Sequence, residues 1–170
     1  MITYILALVC GFVILGLDQL TKYYISTDMV LGESREFING LIDIIYIHNR
    51  GGAWGMLSDH TWILTVVTIV VMGICVVFLV KYGAKNKLLF WGINLVMFGG
   101  IGNLIDRIFK GGNVIDFLHF EFWPDFPIFN IADCVIVIGA GMLILHYAIE
   151  TVKEFKNPKN NTSQENDASI

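Results

Sequence analysis

Four long apolar runs, each ended or interrupted by a few polar residues, set the pattern of this chain. Ile2 to Leu17 is an uncharged run of 16 residues that continues to about Ile25 through Asp18 and Lys22. Trp62 to Val80 gives 19 residues without a charge and Leu88 to Ile105 gives 18. The fourth, Ile131 to Ile149, carries only Asp133 and His146. A bilayer is spanned by about 20 mainly apolar residues, so the pattern predicts four transmembrane helices. The first run lacks the basic leading region of a cleaved signal peptide and continues into the Asp18/Lys22 pair, so it is expected to remain as a helix. Between the first two helices, Phe37 to His48 places an Asn39-Gly40 turn before the β-branched run Leu41 to Ile47, which predicts a small hairpin or curved sheet. Asn49-Arg-Gly-Gly-Ala-Trp54 follows as a glycine-rich turn whose indole suits a membrane interface. Glu121 to Phe129 alternates aromatics with prolines and is expected at the same interface.

Composition agrees with the pattern. The chain has 170 residues, is 55% hydrophobic and 15% charged, and its mean hydropathy is +0.66, too apolar for a soluble domain of this size. A net charge of -4 and a pI near 5.4 lack the basic stripe of a nucleic-acid partner. Cys10, Cys75 and Cys134 all sit in apolar runs, where free cysteine behaves as a small hydrophobe, and no disulfide is expected. No internal repeat is apparent, so residues 1–156 are expected to form one domain. The Asn-, Ser- and Asp-rich tail 157–170 is expected to be disordered.

Charge near the helix ends orients the bundle. Lys81, Lys85 and Lys87 fill one short connection, and Lys153, Lys156 and Lys159 follow the fourth helix. The connection from Ser26 to His60 has two arginines against five acids. By the positive-inside rule both termini are expected in the cytoplasm. At 1.5 Å per residue, Asp18 then lies roughly 25 Å along an outward-running helix and Asn103 to Arg107 roughly 22 to 28 Å along another. Asp133 falls in the first turn of an inward-running one. The polar groups are thus expected at one depth, near the outer boundary, and ionisable residues there pair or work.

Each candidate has a structural reading beside a functional one. Asp18 and Lys22 stand at i and i+4 with the acid first, the favourable order for a helical ion pair. Asn103 is spaced to meet Arg107, leaving a structural network and substrate binding both open. Asn130-x-x-Asp133 reads as an N-cap followed by a first-turn acid. Asp116, expected in a connection among Val114, Ile115 and Phe117, has no basic neighbour. Two such acids can share a proton, one activating water while the other polarises a carbonyl, although paired acids also serve proton relays. Metal and nucleophile chemistry is weaker: Asp116-x-x-His119 has ligand-like spacing, but there is no His-Glu-x-x-His and no Gly-x-Ser-x-Gly. His48, His60 and His146 are scattered, the last toward the opposite face.

Together, Asp18-Gln-Leu-Thr-Lys22, Asn49-x-Gly51-x-Ala-Trp54, Gly102-Asn-Leu-Ile-Asp106-Arg107, Val114-Ile-Asp116-Phe and Phe129-Asn130-Ile-Ala132-Asp133 resemble the bacterial lipoprotein signal peptidases, or signal peptidase II, over roughly residues 5 to 150. Five motifs in order make a specific signal. The resemblance implies an all-α membrane protein of four transmembrane helices with a small extracytoplasmic β-sheet. It implies an aspartic endopeptidase of the bacterial cytoplasmic membrane, cutting diacylglyceryl-modified prolipoproteins just before the lipidated cysteine. Asp116 and Asp133 would be the catalytic pair. Asn49, Asn103, Arg107 and Asn130 match positions that line the peptide site, and Asp18, Lys22 and Asp106 match supporting polar ones; Gly51 and Ala132 fall within the matched motifs. No cofactor or metal is implied; the partners are the lipidated substrate and membrane lipids, with no nucleic acid, and the chain is expected to be a monomer. Gly52 departs from the family's usual alanine. A transporter would carry acids near the midplane, which the second to fourth runs lack there, and a non-enzymatic assembly factor would not need both Asp116 and Asp133.

Overall fold

The computed structural model of the chain describes residues 2–52, 56–83 and 86–156. The expectations placed on Trp54, on Lys85 and on the 157–170 tail, Lys159 included, lie outside these residues. The elements run α1 (Ile2–Asp28), β1 (Ser34–Ile38), β2 (Ile42–Asn49), α2 (Thr61–Tyr82), α3 (Lys87–Phe109), β3 (Val114–Phe120) and α4 (Ile131–Lys156), with a short 3-10 turn at Ser58–His60. All four α-helices are long and apolar enough to cross a membrane.

Burial separates them. α3 is the central helix, with eleven buried residues against one, Cys75, in α2. α2 instead turns Val77 and Val80 outward, as expected of a helix whose outer solvent is lipid. α3 and α4 approach closely because glycines face each other: a Cβ added at Gly139 would lie 2.8 Å from the Gly92 carbonyl oxygen, and one at Gly99 2.6 Å from that of Ala132. With little hydrophobic driving force between helices in lipid, such small-residue contacts let backbones pack directly. The Asn86 side chain caps α3, its Oδ1 accepting from Leu88 N at 2.8 Å and Leu89 N at 3.2 Å.

The expected hairpin is present. Its turn holds Gly40 at φ 72°, a conformation glycine adopts at little cost, and β1 pairs antiparallel with β2. A third strand extends it: β3 pairs antiparallel with β2, giving the order β1-β2-β3. Asp116 therefore lies in a strand, opposite Ile47, and not in a connection as its surroundings in sequence suggest. The reason is local: Val114 to Phe117 are all buried, and Met29, Tyr46, Ile115 and Phe117 form one apolar cluster beneath the sheet. Phe129 then fastens the following segment to β3. Its carbonyl accepts from Phe117 N and Leu118 N at 3.0 and 2.8 Å, and its N–H donates to Leu118 O at 3.0 Å. This brings the start of α4 against the middle of β3.

A closed charge cluster beside an open carboxylate cleft

The cluster inside the bundle is built on α1 and α3. Asp18 and Lys22 form the expected i, i+4 pair at 2.9 Å, both buried. Lys22 Nζ also meets Asp106 Oδ2 at 3.2 Å and donates to Asn103 Oδ1 at 3.0 Å. Each acid of this cluster then holds a backbone amide: Asp106 Oδ2 accepts from Ile115 N at 3.1 Å, and Asp18 Oδ1 from Ala132 N at 2.9 Å. Those amides belong to the residues immediately before Asp116 and Asp133. One buried ammonium is thus the hub of contacts that locate both acids. Two members escape a reading of the motifs alone. Lys110 pairs with Asp106 Oδ1 at 2.7 Å, and Gln19 bridges Asp18 Oδ2 and the Gly102 carbonyl at 3.0 and 3.1 Å. Gly102 is small of necessity, since a Cβ there would lie 2.7 Å from Asp18 Oδ2.

Next to the cluster is a cleft of about 530 Å³. Asp116 and Asp133 both line it, with Asn49, Asn103, Arg107 and Gly52. Asn130 is the connector. Its Nδ2 donates to Asp116 Oδ1 at 2.6 Å and to Asn103 Oδ1 at 3.0 Å. Its Oδ1 accepts from Asp133 N at 3.0 Å while its own N–H donates to Asp133 Oδ2 at 3.1 Å. The expected N-cap is therefore a reciprocal capping arrangement whose remaining amide reaches across to the second acid. Asn103 Nδ2 donates to Asp133 Oδ1 at 2.7 Å, so Asn103 meets Asp133 and Lys22 in place of the Arg107 that its helical spacing suggests. Asn49 Nδ2 donates to Asp116 Oδ2 at 2.7 Å, and its Oδ1 accepts from Gly51 N at 3.0 Å. Gly51 thereby fixes the Asn49 rotamer, and Ala132 acts through its backbone alone. The next residue, Gly52, has φ 67°, where an alanine would be strained.

Asp116 is buried, and burial first, then the Asp133 carboxylate, push its pKa up to about 7, against hydrogen bonds from Asn49 and Asn130 and the charge of Lys22. Desolvation with a second carboxylate nearby is the environment in which an acid keeps its proton at neutral pH. The Arg107 side chain, half-buried at the cleft, makes no hydrogen bond or ion pair among the described residues. Its guanidinium lies in the field of the Asp133, Asp116 and Asp106 carboxylates and is paired with none of them. The remaining wall is apolar: Phe120, Phe126 and Phe129 pack in tilted and edge-to-face pairs with centroids 5.0 to 5.8 Å apart, and Val137 and Ile138 open outward from α4. His119 stands 3.7 Å from Asp43, on the face of β3 opposite Asp116, so the Asp116-x-x-His119 spacing does not bring the two together.

Known proteins resemble this chain over most of its length. Residues 10–149 match the family described as signal peptidase (SPase) II. A lipoprotein signal peptidase of Bacillus pumilus (strain SAFR-032) is 42% identical over 146 residues, which is 85% of this chain and 94% of the relative. Two bacterial membrane enzymes solved by the in meso method share the fold. One has a TM-score of 0.78 at 34% identity, covering 90% of this chain and 91% of its own, and the other 0.75 at 35%, covering 83% and 91%. The chain, a four-helix membrane protein whose acids converge on one cleft, belongs to the signal peptidase II family and is a protease of the lipoprotein signal peptidase type.

Proposed function

We propose that Asp116 and Asp133 are the catalytic pair of an aspartic endopeptidase that cuts a diacylglyceryl-modified prolipoprotein just before its lipidated cysteine. The observation that carries this reading is their convergence, through Asn130, on a single cleft with polar groups on one side and apolar walls on the other. In the resting pair Asp116 holds the shared proton, and Asp133, in the first turn of α4, is the carboxylate, accepting from Asn103 Nδ2 and Asn130 N at the positive end of the helix dipole. Asp133 takes a proton from water, and the water oxygen bonds to the scissile carbonyl carbon while Asp116 donates to its oxygen. The C–N bond then breaks as Asp133 passes its proton to the departing amine and Asp116 recovers its own from the diol. Arg107, with its donors free, holds a substrate carbonyl, and Asn49 and Asn130 keep Asp116 turned to the cleft. The acyl chains rest against the Val137 and Ile138 face and stay in lipid.

The dyad end is taken as the extracytoplasmic one, because Lys81, Lys87, Lys153 and Lys156 gather at the other end of the bundle and basic residues favour the cytoplasmic side. Both termini are then cytoplasmic, in a bacterial cytoplasmic membrane, and a monomer suffices because both acids come from one chain. The test is incubation of the purified chain with matched precursors, with and without the diacylglyceryl group. Release of the signal peptide from the lipidated precursor alone is expected, and equal cleavage of the unmodified one would refute the assigned substrate.

A further inference from the structure

At the end of the bundle away from the dyad, α2, α3 and α4 enclose a second pocket of about 590 Å³. It is separate from the cleft. At about 100° per residue, the α4 face of Cys134, Val137 and Ile138 and that of His146, Glu150 and Lys153 lie roughly 130° apart. Asn86, on its wall, is 17 residues from Asn103 along α3, roughly 25 Å, close to the thickness of the hydrocarbon layer. The pocket therefore lies at the opposite membrane boundary, at headgroup depth.

Three of its polar side chains have hydrogen-bonding capacity to spare. His146 is 9% exposed, lines the pocket and makes no hydrogen bond among the described residues. Its ring nitrogens are therefore available to a ligand in the pocket. Asn86 spends its Oδ1 on the cap of α3, and its Nδ2 has no protein acceptor among the described residues. Lys153 Nζ donates to Glu150 at 2.8 Å and has further protons to give. Lys81 and Lys87 stand exposed at the same end of the bundle, so with Lys153 and Lys156 four lysines among the described residues are set against Glu150 and Glu154, a balance that favours an anion. Phe78 links the pocket to the outer face of α2, where Ile74 and Val77 are 52% and 61% exposed; an acyl chain can continue there from a headgroup.

We propose that this pocket seats the phosphodiester headgroup of a membrane glycerophospholipid, with His146, Asn86 and Lys153 as its donors. The proposal rests on the membrane-spanning reading of the four helices and not on the dyad. Native mass spectrometry of the full chain in detergent, titrated with phosphatidylglycerol, tests it. One lipid should bind per chain, more tightly than diacylglycerol, which lacks the phosphate. His146→Phe and Lys153→Gln should each weaken it about tenfold, as loss of one charge-assisted or buried hydrogen bond does, and His146→Gln, which keeps a donor, should retain most of the affinity. All three variants should still cleave a lipidated precursor, so a failure here is distinguishable from a failure of the proposed activity. Equal phosphatidylglycerol binding by wild type, His146→Phe and Lys153→Gln would overturn the proposal. So would displacement of the lipid by excess inorganic phosphate, which would make this a free-anion site, or by a lysine-rich signal-peptide segment, which would make it a peptide site.

Discussion

Two polar clusters share Asn103 and lie side by side, and they differ in whether their charges are spent. Around Lys22 the ammonium meets two carboxylates and an amide oxygen, and both acids hold further partners. Around Asp116 and Asp133 two carboxylates face one cleft, and the nearest guanidinium has no bonded partner among the described residues. The first cluster is closed and reads as scaffold. In the second, uncompensated charge held ready at a substrate-sized cleft is what chemistry requires.

The sharpest way to break this contrast is to neutralise the open cluster while leaving the closed one intact. Asp133→Asn should lower kcat/KM by about 10²–10⁴-fold, the range for loss of a general base, with little change in melting temperature. Asp116→Asn should lose less, because an amide still donates to the substrate carbonyl. If Asp133→Asn keeps the greater residual rate in the same cleavage assay, the two roles are reversed. Neutralising the hub should do the opposite. Lys22→Ala leaves Asp18 and Asp106 buried beside an empty site, at a cost of about 3–5 kcal/mol, visible as lost stability in thermal melts. A well-folded but inactive Lys22→Ala protein would mean that the closed cluster also works in the reaction.

Arg107→Ala should reduce kcat/KM by about 10²–10³-fold while the protein inserts and melts normally, since the side chain makes no hydrogen bond or ion pair among the described residues. Loss of folded protein would instead make Arg107 part of the scaffold. Gly102→Ala is a smaller perturbation. A Cβ at 2.7 Å from Asp18 Oδ2 should cost about 1–3 kcal/mol by overpacking, and a thermal melt equal to wild type would show that the cluster has more room than its geometry implies.

Much of this division is legible in the chain and some is not. The four spans follow from long, mainly apolar runs, and the ion pair of Asp18 with Lys22 from its spacing. Lys110, at i+4 from Asp106, is open to the same reading. The third strand is hidden because Val114, Ile115, Asp116 and Phe117 are all buried, which removes the alternation that marks a half-exposed strand. The double duty of Asn130 is hidden for another reason: capping is a local pattern, whereas its bond to Asp116 depends on Phe129 pairing with Leu118. Tertiary contacts of that kind leave no spacing to read.

The central claim is that the open cluster keeps one proton, on Asp116. Its pKa in the folded protein is raised to about 7 from an ordinary 3.8, so folding favours the protonated form. The sign for stability follows: this group's contribution falls as pH rises between those two values and is level outside them. For catalysis the proton must be present. The direct measurement is the pH dependence of kcat/KM, which reports the free enzyme, on one lipidated precursor. The account predicts a decline above about 7 that approaches tenfold per pH unit, with the protein still folded. A rate that stays level well into the alkaline range would contradict it.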